Sequence, residues 1–489
     1  MRFSLRTATS QSYFFLHSYR LATTLIALCA LTVNFLFASG HNLQRCVELA
    51  TLCVMAFMFI VRVVRGQLPT VSTTTGILFL MFLVLGLASS AVAYSLRHAI
   101  FEWSSILLLL MLIFAVASEL ACDARILPSV IYWIGIACGL YALRLLMMYF
   151  LALASGFQVD MHELAVGFSN ARFLNHTQTA LLPLIVLLCL KAPHGSGWRK
   201  AWFALSAFWW ALLFVCEARA SVVALGIGCL CAFLARRSQA RPFMVAMLWT
   251  ALAGCAVYAL LFILLPVLVG LQPVGSPLNV VARTAANPTS SRNLLWKLAL
   301  ELITAHPWLG VGPQHFAHEG ARLYSGAHPH NWLLQIGAEW GIPALLCLLC
   351  AVFLGARALV RSGARIAATD VESQHMLVTL LVACTAIFVD GLLSGVVVMP
   401  QSQLAIMLTL GIACAWVRMQ KDSVEQAKPI GSIASRALMI GVVAAGLCGL
   451  IWSVGPDIVS HARGDAFTPA EQAKNPDAHW ARMWEAGYF

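Results

Sequence analysis

Charge is what this sequence has little of. Asp, Glu, Lys and Arg make up 10% of its 489 residues, and Asp and Glu together number only 20. A soluble domain carries about 25% charged residues, enough to cover its surface in water. Here 61% of the residues are hydrophobic and the mean hydropathy is +0.83, which excludes a soluble enzyme and a disordered chain. Nucleotide loops are missing too: no GxxxxGK[ST] and no GxGxxG occurs, so no phosphate cradle of either kind is encoded. Most of the 15 Cys lie in apolar runs, where a thiol packs as a small hydrophobe. Cys347 and Cys350 have a zinc-like spacing, but they sit in the run Leu345 to Val352 and belong to no polar ligand set. A disulfide scaffold is excluded.

Long apolar runs take the place of these features. A membrane-spanning helix needs about 20 mostly apolar residues. Candidate spans run over 21–39, 46–61, 75–94, 100–120, 127–153, 177–190, 201–216, 220–235, 243–269, 332–356, 376–398, 403–417 and 437–455. Glu217 and Arg219 divide 201–235 into two spans, because charge is expensive in hydrocarbon. The fold class expected is an all-α polytopic membrane protein, a bundle of about 12–13 transmembrane helices with a large helical loop outside the membrane. Four regions follow: 1–269, an N-terminal bundle of about nine spans; 270–331, the loop that carries chemistry; 332–455, the C-terminal spans; and 456–489, a tail.

The net charge of +11 would suggest nucleic acid in a soluble protein. In a membrane protein it reads instead as basic cytoplasmic loops, and no nucleic-acid partner is expected. More than half of the Lys and Arg fall in alternate connections: Arg2, Arg6 and Arg20; Arg62 and Arg65; Arg125; Lys191, Arg199 and Lys200; Arg236, Arg237 and Arg241; Arg357, Arg361 and Arg365; Arg418, Lys421, Lys428 and Arg436. This puts the N-terminus inside, without a cleavable signal peptide, and 154–176, 217–220 and 270–331 outside. The thirteenth span carries the tail outside.

The outside loop 270–331 is the one long hydrophilic excursion within the chain, and loops of that length are usually functional. Ser291 to Thr304 reads as a short helix, capped by Ser290 or Ser291 and stopped at His306-Pro307. Its polar stripe is Asn293, Lys297 and Glu301, and its apolar face Leu294, Leu295, Leu298 and Leu302. Five His stand between 306 and 330, but none shares a helix face in a HxxxH or HxxEH pattern, so no metal site is expected. His330 stands at the outer boundary on the first turn of the next helix, with Glu339 further along it, a carboxylate that needs a partner at the bilayer edge.

His330-Asn331, Leu334-Gln335 and Glu339-Trp340-Gly341 together resemble the signature of the O-antigen ligase and polymerase family. Pro307-Trp308-Leu309-Gly310-Val311-Gly312, preceded by Arg292 and Trp296, is similar to the same family's loop. Phe168 to Phe173 with Asn175, and Arg219 with Ser221, resemble two more of its motifs. The motifs cover roughly 160–350. Two features depart from the pattern: no Ser precedes Arg219, and the tail after Pro456 is longer than the family core requires.

The resemblance implies an inverting, metal-independent glycosyltransferase of the bacterial inner membrane, working at the periplasmic face without a cofactor. Its donor is a glycan linked to undecaprenyl diphosphate in the bilayer, and its acceptor, for a ligase, is lipid A–core. A polymerase or a protein O-oligosaccharyltransferase of the family uses another acceptor. Such transfer needs a base with a pKa near neutrality and cations for the departing diphosphate. His330 is the expected base, with Glu217 or Glu339 to orient it or an Arg, Glu339 being preferred because it shares a helix with His330. Arg219, Arg292 and Arg172 are the expected diphosphate ligands, and Arg283 is a further candidate. A lipid-linked oligosaccharide flippase is the alternative from another class, but transporters gather polar groups at the midplane, where Arg144 and Asp390 are the main charged residues here. A non-catalytic membrane partner would leave His330 idle. Nothing in the sequence sets an oligomeric state.

Overall fold

A computed structural model describes residues 31–33, 35, 40–65, 72–275, 285, 292–321, 326–420, 433–462 and 482–485. The expected first span, the Ser290 and Ser291 caps, and Arg283 lie largely or wholly outside these residues. Within them the chain is helical: α1 His41–Val64, α2 Thr73–Ala91, α3 Leu96–Cys122, α4 Ile126–Ala154, α5 Met161–Leu164, α6 Ala171–Lys191, α7 Gly197–Val215, α8 Arg219–Arg236 and α9 Arg241–Tyr258. A π-helical turn, Ala259–Leu264, extends α9 to Leu268. Then come α10 Arg292–Ala305, α11 His315–Ala321, α12 Trp332–Trp340, α13 Ile342–Ser362, α14 Val371–Gly391, α15 Pro400–Met419 and α16 Ile433–Ala462. Eleven of the described helices are long and apolar enough to cross a membrane. The protein is an all-α polytopic membrane protein.

Burial sorts the helices into two sets. α3, α6, α14 and α15 form the interior, and α6 is almost wholly buried although it carries Asn175, His176, Thr177, Gln178 and Thr179. α2, α9, α13 and α16 keep apolar side chains such as Met81, Trp249, Phe353 and Trp452 exposed, as lipid-facing surfaces do. α14 packs on α8 and α6, and Gly228 permits the first contact: a Cβ there would stand 2.6 Å from the Val382 carbonyl oxygen. The buried polar run of α6 points to a function, because packing alone would favour apolar residues there.

The ends of the helices define two faces. At one, Lys191 pairs with Glu372 and Arg236 donates to Gln374, gathering the ends of α6 and α8 with the start of α14. At the other face stand the starts of α6 and α8, the end of α14, and the segment 292–341.

The sequence reading of one span over 332–356 is corrected. Gly341, at φ +84° and ψ 167°, breaks the helix into α12 and α13, and of the two only α13 is long and apolar enough to cross a bilayer. That backbone region is open essentially to Gly alone. A Cβ at Gly341 would also lie 2.3 Å from the Trp308 carbonyl oxygen. The break serves a docking function: Val311 N–H donates to Ala338 O, Gly312 N–H to Glu339 O, and Ile342 N–H to Pro307 O. The Pro-Trp-Leu-Gly-Val-Gly motif therefore satisfies the exposed backbone groups of the break. α10 forms close to where its apolar pattern predicts, burying Leu295 and Leu298, although Leu294 of the expected apolar face stays exposed.

The two faces generate a test of orientation. Lys297, exposed on α10, and Ser238, exposed between α8 and α9, lie at opposite ends of the bundle. In a Cys-free chain within intact spheroplasts, an impermeant maleimide should label Lys297→Cys and spare Ser238→Cys. Labelling of both, or the reverse pattern, overturns the orientation drawn from the basic loops.

Candidate functional site

Three helices begin with, or one residue before, an arginine at the same face. Asn170 caps α6, its Oδ1 accepting from Arg172 N–H at 2.9 Å; Arg219 opens α8; Arg292 opens α10. A helix N-terminus carries about half a positive charge, so a cation there works against the backbone dipole. The arginines also act on one another. Burial and the guanidiniums of Arg172 and Arg219 push Arg292 below its ordinary range, and Asp390 opposes them. Such an arrangement is costly for stability and suited to a polyanion.

His330 belongs to the same group. Burial, then the charges of Arg292, His176 and Arg172, hold its imidazole well below its ordinary value of 6.5. Its backbone is left-handed, at φ +53°, and it stands just before Asn331, which caps α12 by accepting from Leu333 and Leu334 N–H. His330 is therefore not on the first helical turn as expected, but on the strained approach to it. Two contacts fix that approach. Trp296 Nε1 donates to Pro329 O at 3.0 Å, one turn along α10 from Arg292. His328, buried against Gly395, accepts the His330 N–H on its Nδ1 at 3.3 Å, with the two rings 4.1 Å apart. His328 is a support for the loop.

Sequence reasoning gave no role to Asp390 and His176. Asp390 is fully buried in the last turn of α14, and not at midspan as its place in the expected 376–398 span suggested. Its Oδ2 accepts from Thr179 Oγ1 at 2.6 Å and Ser221 Oγ at 3.1 Å, tying α14 to α6 and α8. Among the described residues, Asp390 Oδ1 and His176 Nδ1 have no hydrogen-bond partner. The second half of the Arg219–Ser221 motif thus serves to hold the counter-charge of the arginines. The signal in the sequence was the run of polar residues on an otherwise apolar α6.

Glu339 pairs with an arginine, Arg482, and not with His330. It is fully buried; both its oxygens accept from Arg482 Nη2 at 2.7–2.8 Å, and Oε1 also accepts the Phe316 N–H. Arg482 Nη2 binds both oxygens of Glu102 on α3 as well, at 2.8 Å. Among the described residues no group of three His, Cys, Asp or Glu side chains stands close enough to hold a metal ion.

The fold defines a polytopic membrane protein, and its cations gather at one face of the bundle. Residues 203–349 match the family model described as O-antigen ligase. The match covers under a third of the chain, and over that stretch the protein is similar to O-antigen ligases. The matched segment runs from α7 into α13 and contains Arg219, Arg292, His330 and Glu339, while Arg172, Asp390 and Arg482 lie outside it. No curated protein matches the chain.

Asp390 generates a prediction. Asp390→Ala should leave the Thr179 and Ser221 hydroxyls without their acceptor and lower stability by about 1–3 kcal/mol, read as thermal unfolding in detergent. Asp390→Asn, which keeps an acceptor oxygen, should lose less. An unchanged transition in Asp390→Ala would show that the contact contributes nothing.

Proposed function

We propose that this protein is an inverting glycosyltransferase that moves a glycan from undecaprenyl diphosphate onto a hydroxyl of lipid A–core at the periplasmic face. The observation that carries the reading is the convergence of three arginine-bearing helix starts on one strained histidine. In the proposed reaction the acceptor oxygen attacks the anomeric carbon while its proton passes to His330. The bond from that carbon to the diphosphate oxygen breaks, and its electron pair leaves with the diphosphate. Arg219, Arg292 and Arg172 take up the charge that develops there, each able to offer two N–H donors to a phosphate. Displacement in one step inverts the anomeric carbon.

The electrostatics couple the base to the donor. With the site empty, Arg292 and Arg172 depress His330, which keeps the imidazole neutral and able to accept a proton. A bound diphosphate offsets those charges and raises the pKa of His330, so the base becomes stronger when its substrate is in place.

Two predictions follow from this mechanism. With a synthetic undecaprenyl-diphosphate glycan and lipid A–core in detergent, His330→Ala should lower the rate by about 10²–10⁴-fold while donor binding stays. Arg219→Lys should weaken donor binding, because Lys keeps the charge and loses the planar fork. Normal transfer by His330→Ala removes the base from the mechanism, and transfer only to a repeat unit or a protein hydroxyl replaces the acceptor. The second prediction concerns pH. The acid limb of kcat/KM reports the free enzyme and that of kcat the donor complex. The kcat limb should therefore lie at higher pH than the kcat/KM limb, and Arg292→Ala should move the kcat/KM limb up toward 6.5, the ordinary histidine value. Coincident limbs in the unaltered enzyme would rule out the coupling.

A further inference from the structure

The segment 482–485 lies far along the chain from every motif of the site, yet it is inserted beneath it. Arg482 is fully buried, and Met483 and Trp484 are nearly so. Its guanidinium is the shared partner of Glu102 on α3 and Glu339 on α12, and Nη1 donates to Ala327 O at 3.3 Å. Ala327 is the residue before His328, so one side chain grips both ends of the segment that presents His330.

The insertion is held from the other side with equal care. Arg45 Nε donates to Met483 O at 2.9 Å and Arg45 Nη2 to Arg482 O at 3.0 Å, and His41 Nε2 lies 3.2 Å from the same Arg482 oxygen. Arg45 Nη2 also donates to Val398 O, and Arg45 Nη1 to Gln403 Oε1, which joins the segment to the turn that packs on His328. Trp484 Nε1 donates to Asp457 Oδ2 at 2.9 Å, and Glu485 N–H to Asn42 Oδ1 at 2.7 Å. Nothing in the packing of α3 and α12 requires two buried carboxylates to face each other. Both acids make sense once Arg482 stands between them, because a buried charge needs a paired and hydrogen-bonded partner.

We propose that Arg482 is a positioning residue of the transfer site. Through Glu339 and the Ala327 carbonyl it fixes the 327–331 approach, and so sets where His330 meets the acceptor hydroxyl. This rests on the glycosyl-transfer reading. The Arg482 guanidinium is engaged by Glu102, Glu339 and the Ala327 carbonyl, so its loss should act on the chemical step and spare donor binding.

The experiment compares full-length wild type, Arg482→Ala and Arg482→Lys in detergent, by transfer kinetics and by hydrogen exchange of the peptides over 326–340. In Arg482→Ala, kcat should fall by about 10²-fold, the loss expected of a small misplacement of a catalytic group. KM for the donor should change less than about threefold, since the groups that bind diphosphate are intact. Exchange over 327–335 should quicken. Arg482→Lys, which keeps the charge, should recover part of kcat, and it serves as the test protein if Arg482→Ala does not fold. Unchanged kcat in a variant that exchanges faster overturns the proposal and leaves Arg482 a packing residue. A rise in KM with kcat intact overturns it as well. If wild type transfers no lipid-linked glycan, the transfer reading itself fails; if wild type transfers and both variants match it, only the role of Arg482 fails.

Discussion

Three guanidiniums at three helix starts are the constraint around which the site is arranged. The backbone field at the starts of α6, α8 and α10 repels them, and they repel one another, as the lowered Arg292 shows. A protein holds such a group together only if other contacts over-determine it. Here Asp390 supplies the counter-charge, Asn170 caps α6, and Trp296 ties α10 to Pro329. Burial first, and then the same field, hold the pKa of His330 down. One electrostatic feature thus acts on both the arginines and the histidine, and in the proposed reaction a diphosphate would relieve the repulsion as it binds.

The second element is the break at Gly341. A continuous helix from 332 to 362 would have no free backbone groups at its middle. The break exposes them, and the 307–312 turn occupies them through three backbone hydrogen bonds. That docking fixes the outer loop to the bundle and places α10, with Arg292, over the starts of α6 and α8. Beneath the break, Glu339, Glu102 and Arg482 form a buried triad. Buried ion pairs seldom add net stability over apolar packing, but removing one partner of a pair costs about 3–5 kcal/mol. Their effect here is specificity of position, since only one arrangement satisfies both acids.

The lipid-facing helices contribute little to this chemistry. α2, α9, α13 and α16 present apolar surfaces outward, while buried polar residues lie on the inner helices, among them α1, α3 and α6. The separation follows from the solvent: hydrocarbon tolerates polar groups only where protein surrounds them. It also accounts for the one-sided site, because Asp390, which looks like a midspan charge in the sequence, lies at the end of its helix.

What the sequence determined by itself was whatever follows from local pattern. Apolar runs of the right length gave the helices, Glu217 and Arg219 divided α7 from α8, and His306-Pro307 closed α10 after Ala305. The local motifs also picked out Arg172, Arg219, Arg292 and His330, which the fold brings into one electrostatic group. Tertiary structure decided the rest. Asp390 meets Thr179 and Ser221 from a helix more than 150 residues away, and Arg482 meets Glu102 across 380 positions. No periodicity records such pairs, because each residue satisfies its own helix pattern equally well with any partner. The break at Gly341 was hidden for a related reason: an apolar run has the same composition whether it is one helix or two. The difference lies in the docking turn that takes up the freed backbone groups, and that turn is brought there only by the fold.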